Sequence, residues 1–245
     1  MNVIAVIPAR YNSQRFPGKL MQLIGPKAII RHTYDNTLAT GLFSKVFVVT
    51  DSPLIYDDIV SNGGNAIMSI NEHESGSDRI AEAVADMDVD IIINVQGDEP
   101  FVRKEPLEKL IKAFTAADGH NVQVASLMHI ITEPHLIHNP NQVKVVVGLN
   151  NDALLFSRSP IPYHRDTTIP ATYYGHIGVY AFRKQALMNF TKWPQTPMEK
   201  IEKLENLRYQ ENGVFIRMVL VDFKGVGVDT PEDLEVAKEI YKHSN

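Results

Sequence analysis

In this 245-residue chain, three segments place charged side chains beside turn-forming residues. The first is PARYNSQRFPGK, residues 8–19, with Arg10, Ser13, Arg15 and Lys19 around Pro17 and Gly18. Forked guanidinium donors, a lysine point charge and a glycine-bearing loop of backbone N–H groups are the parts that hold a polyphosphate. The second is NVQGDEP, residues 94–100, which puts Gln96, Asp98 and Glu99 after the apolar run DIIIN. The third is GVDTPEDL, residues 227–234, with Asp229 just before a Thr-Pro helix start. An acid at either place has two readings. Gly-Asp is ordinary turn chemistry. A carboxylate beyond a strand end also suits a hard divalent cation, because Mg²⁺ takes one or two carboxylates together with substrate phosphates.

A fourth segment, ESGSDR at 74–79, pairs Ser75 with Asp78 in the form of a capping box. Helix N-termini favour anions, and Arg79 lies one turn in, where the cap does not account for it. The first 34 residues contain five Lys and Arg and no Asp or Glu, within a chain whose net charge is −5. That asymmetry points to an anion site near the N-terminus, while the overall charge disfavours a broad nucleic-acid surface.

Other classes are excluded. A Walker loop needs Gly at position 13 and Ser or Thr at position 20, and the chain has Ser13 and Leu20. No G-x-G-x-x-G follows the first apolar run, which disfavours a nicotinamide dehydrogenase. The absence of Cys removes disulfides and thiolate chemistry. His129, His135 and His138 lack zinc-site spacing. No apolar run approaches the roughly 18–20 residues of a membrane span, and the first ten residues do not form a secretory signal. A cytoplasmic location is therefore expected, with no nucleic-acid or membrane partner.

These residues must be positioned by an alternation of strands and helices. Val3–Ile7 and DIIINV at 90–95 read as buried strands, and KVFVVT at 45–50 and residues 65–69 as further strands. Residues 27–40, 54–61, 104–116 and the segment after Ser75 read as helices, the last with Ile80, Ala83, Val84 and Met87 on one face. The pattern predicts an α/β, Rossmann-like, mostly parallel sheet with helices on both faces. The second half is less regular: strands at 121–130, 142–148, 153–157, 173–182 and 214–221, a functional loop at 158–173, and one helix over 197–211 carrying Glu202, Glu205 and Asn206. One domain over 1–245 is expected, with a smaller inserted lobe at 125–210.

Seven segments, PARYNSQRFPGK, ESGSDR, NVQGDEP, NPNQVKVV, FSRSPIPY, HIGVY and GVDTPEDL, occur in an order that resembles the 3-deoxy-manno-octulosonate (Kdo) cytidylyltransferases along nearly the whole chain. The resemblance implies a nucleotide-diphospho-sugar transferase fold, CTP and Kdo as substrates, CMP-Kdo and pyrophosphate as products, Mg²⁺, a homodimer joined through the 125–210 lobe, and a place in lipopolysaccharide biosynthesis. It implies that Asp98 and Asp229 hold the metal and that, with Lys19, they are catalytic. Arg10, Ser13, Arg15, Lys19, Ser75, Arg79 and Gln96 would bind the nucleotide. Arg158, His176, Tyr180, Glu202 and Asn206 would bind the sugar, Arg158 meeting its carboxylate. The family usually has Gln where Asn206 stands, and Pro where Leu20 stands. The first departure leaves 8-amino-Kdo or a sialic-type acid as an alternative substrate. A nucleotide-binding regulatory protein with a dead site is the alternative from another class.

Overall fold

A computed structural model describes residues 1–13, 15–73, 75–222 and 225–244. Gln14 of the first motif and Glu74 of ESGSDR lie outside the described residues. The chain forms two compact units, residues 1–107 with 225–245, and residues 108–224.

The first unit starts with β1 (Val3–Ala9), a run of apolar residues buried almost without interruption. A strand covered on both faces has no polar alternation to show. A short hairpin follows, β2 (Leu23–Ile24) and β3 (Lys27–Ala28), and leads into α1 (Ile29–Ala39). Then come β4 (Lys45–Thr50), α2 (Pro53–Ser61), β5 (Ala66–Met68), α3 (Gly76–Val84) and β6 (Ile91–Asn94). All four long strands are parallel, in the order β6-β1-β4-β5. The connections from β1 through α1 and α2 run one way, and the connection through α3 returns to the other side of β1. Right-handed crossovers in opposite directions put their helices on opposite faces. The reversal makes the β1/β6 boundary a switch point, where the carboxyl ends of the strands leave a crevice.

The α3 helix stops at Val84, shorter than its sequence pattern, and buries Ser77, Arg79, Ile80, Ala81 and Val84, not Met87. The chain passes through α4 (Lys104–Lys112) into the second unit.

There it forms β7 (Val124–Ile130), α5 (Pro134–His138), β8 (Lys144–Val147), β9 (Ala153–Ser157), β10 (Tyr174–Arg183), α6 (Lys184–Phe190), α7 (Pro197–Glu202), α8 (Asn206–Glu211) and β11 (Ile216–Leu220). This unit mixes directions: β11 is parallel to β7, whereas β10 is antiparallel to both β7 and β8, and β9 is antiparallel to β8. Residues 158–173 contain neither strand nor helix. The single helix expected over 197–211 is corrected to two. Lys203 takes a left-handed conformation at φ 55° and ends α7, so Glu205 precedes α8 and does not share a helix with Glu202.

Six aromatic rings form a chain of contacts through the unit, from Phe156 to His176, Tyr180, Phe182, Tyr209 and Phe190, with centroid spacings of 4.8–5.9 Å. The chain then returns to the first unit as α9 (Pro231–Ser244). Among the described residues, no helix is long and apolar enough to cross a membrane.

Candidate active site

Charged and polar residues follow the strand ends at the switch point. Arg10 follows β1, Asp51 follows β4, and Gln96 and Asp98 follow β6. The loop after β1 is folded back by one carbonyl: Tyr11 O accepts from Ser13 N at 3.1 Å and from Gly18 N at 3.0 Å. Gly18 has φ 68° and packs against the Tyr11 ring, so a side chain there would be strained and crowded. The turn delivers Lys19 into the crevice.

Asp229 arrives from the far end of the chain. Val228 N donates to Asp98 O at 2.9 Å, which sets the segment before α9 alongside the β6 loop. Asp233 Oδ2 accepts from Asp229 N at 3.0 Å and Thr230 N at 2.9 Å, while Thr230 Oγ1 accepts from Asp233 N at 3.2 Å. This reciprocal cap fixes the backbone on which Asp229 stands. Close backbone approach at Gly97 completes the fit: an added Cβ would lie 3.0 Å from Pro8 O.

Lys19 Nζ donates to Asp98 Oδ2 at 2.6 Å and to Asp229 Oδ1 at 2.8 Å. Arg15 approaches the other Asp229 oxygen at 2.9 Å. Burial alone would lower the Lys19 pKa, but the charges and hydrogen bonds of the two aspartates outweigh it and raise it. For Asp229 burial acts upward, and Lys19 followed by Arg15 outweighs it, holding the carboxyl below its usual range. Beside this pair, burial pushes the Glu99 carboxyl up to about 7, with the Asp98 charge adding to the rise.

Two carboxylates thus converge on one cationic point. Their chemistry fits a hard divalent ion, which favours carboxylate oxygens, and the Lys19 ammonium already occupies a position bridging both. Arg10 is exposed and makes no hydrogen bond or ion pair among the described residues. Ser13 is also in this loop, half-buried.

On α3, Ser75 caps the helix by accepting from Asp78 N at 3.1 Å, and its hydroxyl donates to the Asp78 carboxylate. Arg79 is buried at 5% exposure. One of its terminal nitrogens donates to Asp51 at 2.7 Å, and the other is buried with no hydrogen bond among the described residues. A buried guanidinium N–H without a partner is costly, so this nitrogen is a ready donor for a ligand. Gln96 lies beside Asn94.

The second unit holds the other candidates in two groups. Arg158 and Glu202 form the first. Glu202 accepts from Ser157 Oγ at 2.6 Å and from Arg158 N at 3.0 Å. The Arg158 guanidinium donates to the carbonyls of Glu202 at 2.7 Å, Pro140 at 2.9 Å and Lys203 at 3.4 Å. His176 and Tyr180 form the second, both on β10, with ring centroids 5.3 Å apart. His176 Nε2 pairs with Ser126 Oγ at 2.9 Å, and burial lowers its pKa to about 3, so the imidazole is neutral at physiological pH. Burial, and then the Glu205 charge, raise the Tyr180 pKa. Asn206 is buried at 3% exposure, and its amide nitrogen makes no hydrogen bond among the described residues.

Geometry joins three residues to these groups that sequence reasoning did not single out. Asp51 holds Arg79; its signal was its place directly after a strand. Ser157 and Lys144 hold the Arg158 segment. Both lie in quoted motifs, but nothing in their spacing showed what they bind.

The chain matches a sequence family described as Cytidylyltransferase over residues 4–219. It is 57% identical over 242 residues to the 3-deoxy-manno-octulosonate cytidylyltransferase of Flavobacterium johnsoniae, covering 99% of each chain. The enzyme of the same name from Escherichia coli is 42% identical over 238 residues, covering 97% of this chain and 95% of that one. Among solved structures, CMP:2-keto-3-deoxy-manno-octonic acid synthetase complexed with CTP superposes with a TM-score of 0.94 at 40% identity, covering all of both chains. A 4-diphosphocytidyl-2C-methyl-D-erythritol synthase from Anaerococcus prevotii, at 14% identity, 98% coverage of each chain and a TM-score of 0.64, shares the fold alone.

Proposed function

The chain belongs to the cytidylyltransferase family, and from that premise we propose that it transfers CMP from CTP to the anomeric hydroxyl of Kdo, releasing pyrophosphate. The observation that carries this reading is the convergence of Asp98 and Asp229 on the Lys19 ammonium at the β1/β6 switch point. It is supported by full-length relatives that bear the Kdo cytidylyltransferase name.

In this reading the sugar hydroxyl attacks the α-phosphorus and the bond to pyrophosphate breaks in line. One P–O bond forms and one breaks. The hydroxyl proton passes to solvent. Negative charge grows on the leaving pyrophosphate, so fixed cations aimed at it lower the barrier more than groups that bind the ground state equally. Arg10, Arg15 and Lys19 supply those cations. The Ser13 loop and the α3 N-terminus at Ser75 offer N–H groups to phosphate oxygens, and Arg79 and Gln96 hold the nucleoside. Asp98 and Asp229 would hold Mg²⁺, which when bound supplies concentrated positive charge to the phosphates.

In the second unit, Arg158 would take the Kdo carboxylate. His176, Tyr180, Glu202 and Asn206 would contact its hydroxyls, with the neutral His176 ring acting as a hydrogen-bonding group without charge. The reading also places the protein in the cytoplasm as a homodimer, with residues 125–210 as the sugar-binding and dimerising lobe, serving lipopolysaccharide biosynthesis. Asn206, where the family usually has Gln, favours a second reading in which 8-amino-Kdo or a sialic-type acid is the acceptor.

The test is incubation with CTP, Mg²⁺ and each acid sugar separately, reading pyrophosphate and the CMP-sugar. Kdo should be turned over with the highest kcat/KM. A higher value for another acid would move the substrate assignment. Tight CTP binding without turnover of any acid would favour a regulatory protein.

A further inference from the structure

Lys144 on β8 is fully buried, at 0% exposure, and makes no ion pair among the described residues, the Glu202 charge acting on it only from a distance. Its ammonium donates instead to three backbone carbonyls, Asn139 O at 3.0 Å, Gln142 O at 2.6 Å and Arg158 O at 2.5 Å. An ammonium has three N–H groups, so these carbonyls saturate it. They come from two places: the turn before β8, and the residue just after β9.

The strand pairing does not need this charge. Lys144, Val145 and Val146 already pair in register with Ser157, Phe156 and Leu155, and an apolar side chain would fill the same volume without desolvating a cation. What the ammonium does is draw two segments onto one point. One segment contains Pro140, whose carbonyl receives the Arg158 guanidinium, and the other is the Arg158 backbone itself.

From the opposite side Glu202 grips the same residue, accepting from Arg158 N and offering its own carbonyl to Nε. The Arg158 guanidinium is therefore held by carbonyls, and it makes no ion pair among the described residues. Three of its five N–H groups are used, and two remain. Two cationic side chains, Lys144 and Arg158, stand against one carboxylate, Glu202, leaving the cluster with surplus positive charge.

We propose that Lys144 is a positioning residue: its buried ammonium fixes the Arg158 guanidinium so that its remaining N–H groups and unneutralised charge receive the carboxylate of the acceptor sugar acid. This rests on the reading of the protein as a cytidylyltransferase for such an acid.

The test is steady-state kinetics on Lys144→Met, which keeps the stem and removes the ammonium, on Arg158→Ala, and on the double variant. Lys144→Met should raise the KM for Kdo by about tenfold or more and leave the KM for CTP within about twofold. In the Arg158→Ala background the same change should have no further effect on the Kdo KM, since Lys144 acts through Arg158. Lys144→Gln, which restores an N–H donor, should fall between.

An unchanged Kdo KM, an equal rise in both KM values, or effects that add in the double variant would each overturn the proposal. If neither Lys144 variant folds, Lys144 is a fold-holding peg and the positioning role is withdrawn. If the wild-type protein makes no CMP-sugar from CTP and any acid sugar, the functional reading itself has failed, separately from Lys144.

Discussion

Lys19 Nζ lies 2.6 and 2.8 Å from carboxylates that are 79 and 210 positions away in sequence. Because the ammonium sits on the oxygens a divalent ion would use, the two cations would compete. In nucleotide-free protein, Lys19→Met should strengthen Mn²⁺ binding read by electron paramagnetic resonance, and should raise the KM for CTP far more than that for Kdo. Unchanged Mn²⁺ affinity would show that the ammonium and the ion do not share a place. Asp98→Asn and Asp229→Asn preserve shape and remove charge, so pyrophosphate release should fall by about 10²–10³, with unchanged circular dichroism. Retention of more than about a tenth of the wild-type rate in Mg²⁺ would contradict a role for the pair as anions. At this scale the charged residues were visible in the sequence, since arginine, lysine and aspartate beside turn residues are conspicuous. Their pairing was not, because no local rule connects Lys19 with Asp229, and nothing local shows that Arg79 is buried.

Elements explain why these side chains hold their places. Ser75 caps α3 through Asp78 N. Ser75→Ala should lower stability by about 1 kcal/mol, measured as a shift in urea midpoint. On β10 the pairing with β7 shifts register between Ile177 and Tyr180, and Ser126 Oγ lies within hydrogen-bond distance of Ile177 O, Val179 O and His176 Nε2 at this irregularity.

His176 binds its proton only near pH 3 when folded, against 6.5 when unfolded. Between these values the unfolded chain holds more protons, so this residue's contribution to stability is present above pH 6.5 and lost as pH falls toward 3. Glu99 acts in the opposite sense, since its folded value of about 7 exceeds the ordinary 4.5 and its contribution is lost as pH rises through that window. Unfolding of His176→Phe, followed across this range, should show a slope shallower than wild type by up to one proton. Identical slopes would mean that the ring is protonated in the fold.

The apolar strands β1, β4 and β6 of the first unit were readable because each is a short run rich in Val and Ile. The break at Lys203 was not, since lysine is no turn signal. The carbonyls of Glu202 and Lys203 turn to Arg158 there, a tertiary demand that local propensity does not contain. The α6 helix follows β10 directly, with Arg183 as its cap residue in extended conformation, and so lacked a boundary to read.

Across the whole molecule, a net charge of −5 says little about a ligand that meets only a few residues. Of the five Lys and Arg in the acid-free first 34 residues, Arg15, Lys19, Lys27 and Arg31 pair with carboxylates from later in the chain, and Arg10 is left unpaired among the described residues to meet a small polyanion. The KM for CTP should therefore rise with KCl and stay level with a neutral osmolyte. A flat response to salt would remove the electrostatic argument. The strand–helix alternation revealed the α/β class because buried parallel strands and amphipathic helices leave distinct periods. The mixed directions of the second unit leave no such period, since pairing direction is set by partners far along the chain.

The first unit is assembled from residues 1–107 and 225–245, with all of the second unit encoded between them. A ribosome reads that interruption as a delay. Lys19 and Asp98 leave the exit tunnel early and can be in place while the second unit is still being translated, since units tend to fold as they emerge. Asp229 and the α9 cap come only with the closing segment. During that interval the nascent first unit lacks one of the two carboxylates that hold the Lys19 ammonium. A chain released before residue 229 would carry Lys19 and Asp98 without the second carboxylate that holds the ammonium.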